Sequence, residues 1–294
     1  MKMHVGPWKF LVFTNLLIAF AATAQTLLSY KIFDLPYNYS IVLLEFASTL
    51  LLYNLSIWIS KPKDYSKSPY ERTRWIFSHQ SLFYLFNVLA FVLLGYALLQ
   101  VHLYTFIYLG FIGLLSLGYA IPVFRIQGKW QSLRHIPYMK VFFIAFIWSL
   151  STVGLVYIES FSGLQAIGWD RVLYLLMSKF LFIVLVTLPF DIRDMKQDSF
   201  YHLKTVPLRL GRHRTERLCY SLIVAHLLLV LFMPTTLPVQ MGLLACDMVV
   251  WILFKTIILQ KQDSFMQVYL LDLVLILQYI FCLLAVQIAN YLIR

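Results

Sequence analysis

Uninterrupted apolar runs recur along the whole chain, and one of them, FLFIVLVTLPF at 180–190, has no charged residue in 11 positions. A run of this kind, lengthened by its flanks to about 20 residues, crosses a hydrocarbon core of about 30 Å as a helix. The runs are continuous and do not alternate, which favours helices over a membrane barrel. Only 13% of the 294 residues are charged and 61% are hydrophobic. Soluble domains carry about 25% charged residues, so this chain cannot dress a water-exposed surface. The expected class is all-α, a polytopic membrane bundle.

Nine crossings are predicted, at 8–30, 38–60, 78–100, 102–124, 139–158, 168–190, 217–234, 238–260 and 265–291. The chain reads as a single integral membrane domain over 1–294, with no linker or low-complexity tract. Its opening, KFLVFTNLLIAFAATAQ, resembles a secretory signal, but the run continues through TLLSY to spanning length and is read as the first helix. Of the 24 basic residues, 20 fall on one face under this topology. Lys31, Arg171 and Arg294 fall on the other, and Lys179 lies within the sixth span. The positive-inside rule makes the basic face cytoplasmic. The same asymmetry accounts for the net charge of +11 without nucleic acid. Cys219, Cys246 and Cys282 lie in or beside apolar runs, form no C-x-x-C pair, and read as buried hydrophobes.

Directly after the sixth span, DIRDMKQD places three carboxylates in eight residues. On a helix Asp191, Asp194 and Asp198 would share an arc of about 60°. Same-face anions repel, so a hard divalent cation is their natural partner. Mg²⁺ usually takes one or two carboxylates together with substrate phosphates. The bland alternative is a set of interfacial acids neutralised by Arg193 and Lys196. The next stretch, YHLKTVPLRLGRHRTERL, adds a basic cluster suited to phosphate. Within the spans, Glu45, Lys179, Asp247 and Asp272 are costly in hydrocarbon and should face the interior, with interhelical pairing the preferred reading. Asn15, Gln25, Asn87 and Gln278 can bond between helices.

DIRDMKQDSFYHLKTVPLRLG resembles the second aspartate motif of the UbiA-type intramembrane prenyltransferases, with Asp194 and Asp198 as its D-x-x-x-D pair, Asp191 the acid before it, and Lys204–Pro207 the following Lys-Thr-x-Pro segment. YAIPVFRIQGKWQSLRHIPYMKVFF resembles that family's loop after helix four, matched by Tyr119, Pro122, Arg125 and Lys140. The resemblance implies two pseudo-repeated four-helix halves plus a ninth helix. It implies transfer of a prenyl group from a polyprenyl diphosphate to a lipophilic aromatic acceptor, such as a quinone precursor, within the bilayer. Mg²⁺ would be held by Asp191, Asp194 and Asp198 as the catalytic acids, with Asn54, Tyr119, Arg125, Lys140 and Lys204 on the substrate. Tyr53, Trp58, Tyr119 and Trp148 could line the carbocation.

The chain departs from the family at its first motif, roughly N-D-x-x-D-x-x-x-D. Asn54 is retained, while Leu55, Trp58 and Pro62 occupy the acidic positions. Two further readings therefore stand beside an active transferase. One is a non-catalytic relative that binds a prenyl lipid or a membrane partner. The other is a transporter, for which no pair of Gly/Pro-interrupted spans stands out.

Overall fold

The computed structural model describes residues 5–126, 129–162, 167–200, 203–259 and 266–293. Lys2, Lys261 and Arg294 of the charge count lie outside them, as do Gln127, Gly128, Tyr201 and His202 of the two family-like stretches.

The first predicted span is two helices, α1 (Pro7–Phe13) and α2 (Leu16–Phe33). They part at Thr14 and Asn15, where Asn15 takes a left-handed φ of 62°, a conformation asparagine tolerates better than most residues. Helix α3 (Tyr39–Ile59) starts at Asn38, whose side chain accepts the Ser40 N–H at 2.9 Å, an ordinary N-cap. The short α4 (Glu71–Ser78) lays Trp75, Ile76 and Phe77 against Val12, Phe13 and Leu17. Then come α5 (Gln80–Leu98) and α6 (Leu103–Ala120). A two-stranded antiparallel ribbon follows, β1 (Phe124–Ile126) against β2 (Lys129–Gln131), with Arg125 opposite Trp130.

Helix α7 (Lys140–Ser149) passes through a π turn at Leu150–Gly154 into α8 (Leu155–Ser162). Helix α9 (Trp169–Arg193) is followed by the short α10 (Met195–Phe200) and α11 (Val206–Leu210). Helix α12 (Arg212–Leu231) leads to α13 (Leu237–Leu253), which also ends in a π turn, and α14 (Leu270–Ile293) closes the described chain.

Among the described residues eight segments are long and apolar enough to cross a bilayer, which makes this an integral multi-pass membrane protein. The one predicted crossing not among them, 217–234, corresponds to α12, whose opening RHRTER leaves too little apolar length for the same standard. The bundle closes on itself: α2 packs on α3, α7 on α9, α9 on α12, α12 on α13, α13 on α14, and α14 returns to α2. At the α13–α14 crossing the backbones nearly touch. A Cβ on Gly242 would lie 2.6 Å from the Cys282 Cα, the close approach that small residues permit between membrane helices. Large apolar side chains such as Leu99, Leu114 and Phe91 are 84%, 73% and 69% exposed, as a lipid-facing surface requires.

The interior polar groups pair across helices with two corrections to expectation. Lys179 meets no carboxylate: its ammonium donates to the Gln25 carbonyl at 2.8 Å and to the Gln25 side chain, which also bonds Gln278 at 2.9 Å. Two amides thus replace the expected acid. Asn87 donates to Phe83 O on its own helix at 2.7 Å rather than to a neighbour. Glu45 accepts from Ser151 at 3.0 Å. His226 Nδ1 lies 2.9 Å from both Asp247 oxygens and its Nε2 lies 3.1 Å from Ser178, joining α9, α12 and α13.

At the end of the bundle remote from the basic loops, Glu159 gathers three connections. It accepts from Thr105 at 2.6 Å, the His102 N–H at 3.2 Å and Asn38 at 3.2 Å, with the His102 ring 3.0 Å away.

Candidate functional site

The last turn of α9 carries Asp191, its C-cap is Asp194, and Asp198 follows in α10; Pro189 removes an N–H from the α9 ladder just before them. Asp191 and Asp198 are 2% and 3% exposed, and between them sits the ammonium of Lys140 from the first turn of α7. It lies 2.8 Å from Asp191 Oδ1 and 3.0 Å from Asp198 Oδ2. Two buried carboxylates thus share a single ammonium. Asp191 Oδ2 is buried with no hydrogen-bond partner.

Asp194 does not join them. It caps α9 and is gripped by its neighbour Arg193, Nε at 2.7 Å and Nη2 at 2.9 Å. The expected convergence of three carboxylates on one ion therefore becomes a pair plus a separately chelated acid. Among the described residues no group of three or more His, Cys, Asp or Glu stands close enough to hold a metal.

The remaining predicted residues divide. Tyr119, at the end of α6, lies within electrostatic reach of Lys140, Arg134, Asp191 and Asp198. Asn54 is 1% exposed near the end of α3; its Oδ1 accepts from Asn15 Nδ2 at 2.8 Å, while its own Nδ2 has no partner. Arg125 and the Lys204 side chain are exposed and stand apart. Lys204 contributes its backbone instead, accepting the Tyr138 N–H at 2.6 Å and so tying the segment after α10 to the one before α7. Of the proposed aromatic lining, Tyr53 is within electrostatic reach of Tyr119 and Trp148 is buried, but Trp58 is 56% exposed and faces outward.

A second set of residues completes the polar floor of the basic end; sequence reasoning counted Arg72 and Arg193 on this face but not their partners. Arg72, from α4, donates to Asn15 Oδ1 and, at 3.3 Å, to the Tyr269 hydroxyl. Arg193 lies over the rings of Phe190 and Tyr269, 5.1 Å and 5.3 Å from their centroids. Buried atoms lacking a partner concentrate at this end: Asn54 Nδ2, Arg72 Nε, Arg134 Nε, Thr205 Oγ1 and Asp191 Oδ2. Four of these five are donors or hydroxyls and one is a carboxylate oxygen, a set suited to phosphate oxygens beside a cation.

Solved structures settle the architecture. A UbiA homologue from Archaeoglobus fulgidus bound to GPP and Mg²⁺ aligns over 95% of this chain and 99% of its own, with a TM-score of 0.63 at 12% identity. This chain has the UbiA fold. A UbiA homologue from Aeropyrum pernix K1 in its apo form aligns over 97% of the chain and 100% of its own, again at 0.63 and 12% identity. A structure concerned with digeranylgeranylglyceryl phosphate synthase in membranes aligns over 95% and 98%, with a TM-score of 0.53 at 14% identity. No family model and no curated protein matches the chain by sequence. The UbiA fold is thus kept where sequence likeness has faded, and the acidic pair, the basic loops and Asn54 all sit at one end of it.

Proposed function

We propose that the chain transfers a prenyl group from a polyprenyl diphosphate to a lipophilic, aromatic acceptor within the membrane, working at a cytoplasmic basic face. The observation that carries this reading is the pair of buried carboxylates, Asp191 and Asp198, set beside unpartnered donors in a fold whose solved members include one bound to GPP and Mg²⁺. Asp191 Oδ2 and the adjacent Asp198 carboxylate fit Mg²⁺, which asks for one or two carboxylates and completes its shell with water and phosphate. When bound, Mg²⁺ would neutralise the charge that develops on a departing diphosphate.

The chain's own groups do the rest. Lys140, Arg72 and Arg134 present N–H donors to phosphate oxygens, and donors fixed in a water-poor site stabilise the leaving group as its charge grows. Asn54 offers its free amide N–H₂ from the other side. Tyr53, Tyr119 and Trp148 present aromatic faces to the allylic cation. The bilayer and the packed loops keep water from capturing it.

One observation favours the non-catalytic relative. Lys140 already neutralises the acidic pair in part, Arg193 occupies both oxygens of Asp194, and the first-motif acids are absent. The two readings separate in one assay: purified protein with Mg²⁺ and prenyl diphosphates of several lengths, scored for pyrophosphate release with and without aromatic acceptors. Release that requires Mg²⁺, is abolished by chelation and falls at least about 100-fold in Asp198→Asn is expected for the transferase. Retention of a prenyl lipid with no release under any condition would establish the binding protein instead.

A further inference from the structure

The basic end carries cations that the acidic pair does not use. In the opening of α12, Glu216 is held by Arg212 at 2.7 Å, with the His213 ring 3.4 Å away. Arg214 and Arg217 are exposed, and among the described residues their side chains make no hydrogen bond or ion pair. At about 100° per residue, both fall in an arc of about 100° that also holds Ser221, Val224, Leu228 and Leu231. All six are exposed, Val224, Leu228 and Leu231 by 56%, 53% and 55%. The two arginines therefore head the lipid-facing stripe of their helix.

Lys255, in the π turn that ends α13, joins them from the next helix. Arg212 Nη2 donates to the Leu259 carbonyl at 2.9 Å, and the Tyr220 ring meets Phe254 edge-on at 6.2 Å. These two contacts fix the register of the antiparallel pair. Arg217, one turn before Tyr220, and Lys255, next to Phe254, therefore stand within a turn of one another in depth on the two sides of the α12–α13 seam. Lys255 is exposed, its ammonium 5.1 Å from the centre of the Trp251 ring, itself 39% exposed. Met248 and Ile252 continue that lipid-facing side, each 49% exposed.

We propose that the α12–α13 seam at the basic end binds the headgroup of an anionic phospholipid. Arg214, Arg217 and Lys255 take its phosphate oxygens, and Trp251 sits at headgroup level, where tryptophan is favoured. The acyl chains run down Val224 and Leu228 on one helix and Ile252 and Met248 on the other. Positive-inside bias accounts for charges in loops; it does not set two unpaired guanidiniums on a lipid-facing stripe. A charge there needs a counter-charge at its own depth. The apolar part of α12, 218–232, rises only about 22 Å, against a hydrocarbon core of about 30 Å, so the arginines are drawn to the level of the lipid phosphates. Basic pockets between spans suit anionic headgroups, and a zwitterionic headgroup would bring its own cation against these three.

The test offers the full chain, purified in detergent, phosphatidylglycerol and phosphatidylcholine of matched acyl chains and counts the retained lipid by native mass spectrometry. Wild type is expected to retain phosphatidylglycerol at least about tenfold better. Arg214→Gln, Arg217→Gln and Lys255→Gln should each weaken its retention about fivefold, and the triple variant should show no preference. A control triple, Lys61→Gln, Lys63→Gln and Lys67→Gln, removes the same charge elsewhere on the basic face and should keep the preference. Wild type without a preference, a triple seam variant that keeps it, or an equal loss in the control overturns the proposal. So does displacement of the lipid by millimolar inorganic phosphate, which would assign the cations to a soluble anion. Should the triple seam variant not fold, Arg217→Lys and Arg217→Gln decide: the first is expected to keep most of the binding and the second to weaken it, and equal binding by both counts against the site.

Discussion

Lys140 touches two carboxylates, and its side chain and theirs are only 13%, 3% and 5% exposed. Removing one partner of a buried charge cluster strands the others, which costs about 3–5 kcal/mol. Lys140→Met should lower stability by that amount in denaturant titration of the detergent-solubilised protein, and adding Asp191→Asn should recover part of it. Salt should change the loss little, because buried pairs are weakly screened. At this scale the sequence was half legible. Asp191, Asp198 and Lys140 were picked out, but their mutual contact was not, since Lys140 and Asp198 are 58 residues apart and no local pattern joins them. Arg72 and Arg193 read as ordinary basic loop charges, and only the folded chain turns them onto Asn15 and Tyr269.

At the level of elements, the break between α1 and α2 turns Asn15 inward to Asn54 and Arg72. Asn15→Leu would force a bulky side chain into the left-handed region, at about 1–2 kcal/mol, and would also strip both partners of a bond. Its unfolding midpoint should therefore drop more than that of Asn15→Asp, which keeps an acceptor for Arg72. At the α13–α14 crossing, Gly242→Val has no room beside Cys282. A loss of about 1–3 kcal/mol is expected from overpacking, again read as an unfolding shift. Neither feature was visible beforehand. In a membrane helix lipid and core are equally apolar, so hydrophobic period says little about where a helix breaks or which face meets a neighbour. Length and apolarity located the spans; polar residues such as Thr14 and Asn15 decided their interruptions.

For the whole molecule, the ring of packed helices requires α12 to run between α9 and α13, although its charged first turns make it the weakest crossing by composition. If α12 crosses, the two ends of the described chain lie on opposite faces; reporter fusions after Ile293 and before Pro7 should therefore give opposite topology signals, and matching signals would mean that α12 stays at the surface. The class, eight of the nine predicted crossings and the basic end were all legible, because they follow from run length and charge distribution. The tertiary route of the chain around the ring was not, since it depends on contacts between distant segments. Glu159, finally, makes the molecule unequal from top to bottom. Its carboxylate rivets three connections together at one mouth, whereas the other mouth also carries partly exposed pairs such as Lys9–Glu71 and Arg193–Asp194. A bundle pinned in this way is expected to open at the other end, so deuterium uptake should be slow around Asn38 and His102 and fast around Tyr138 and Lys204. Breathing confined to the charged mouth would admit a bulky guest from one side alone.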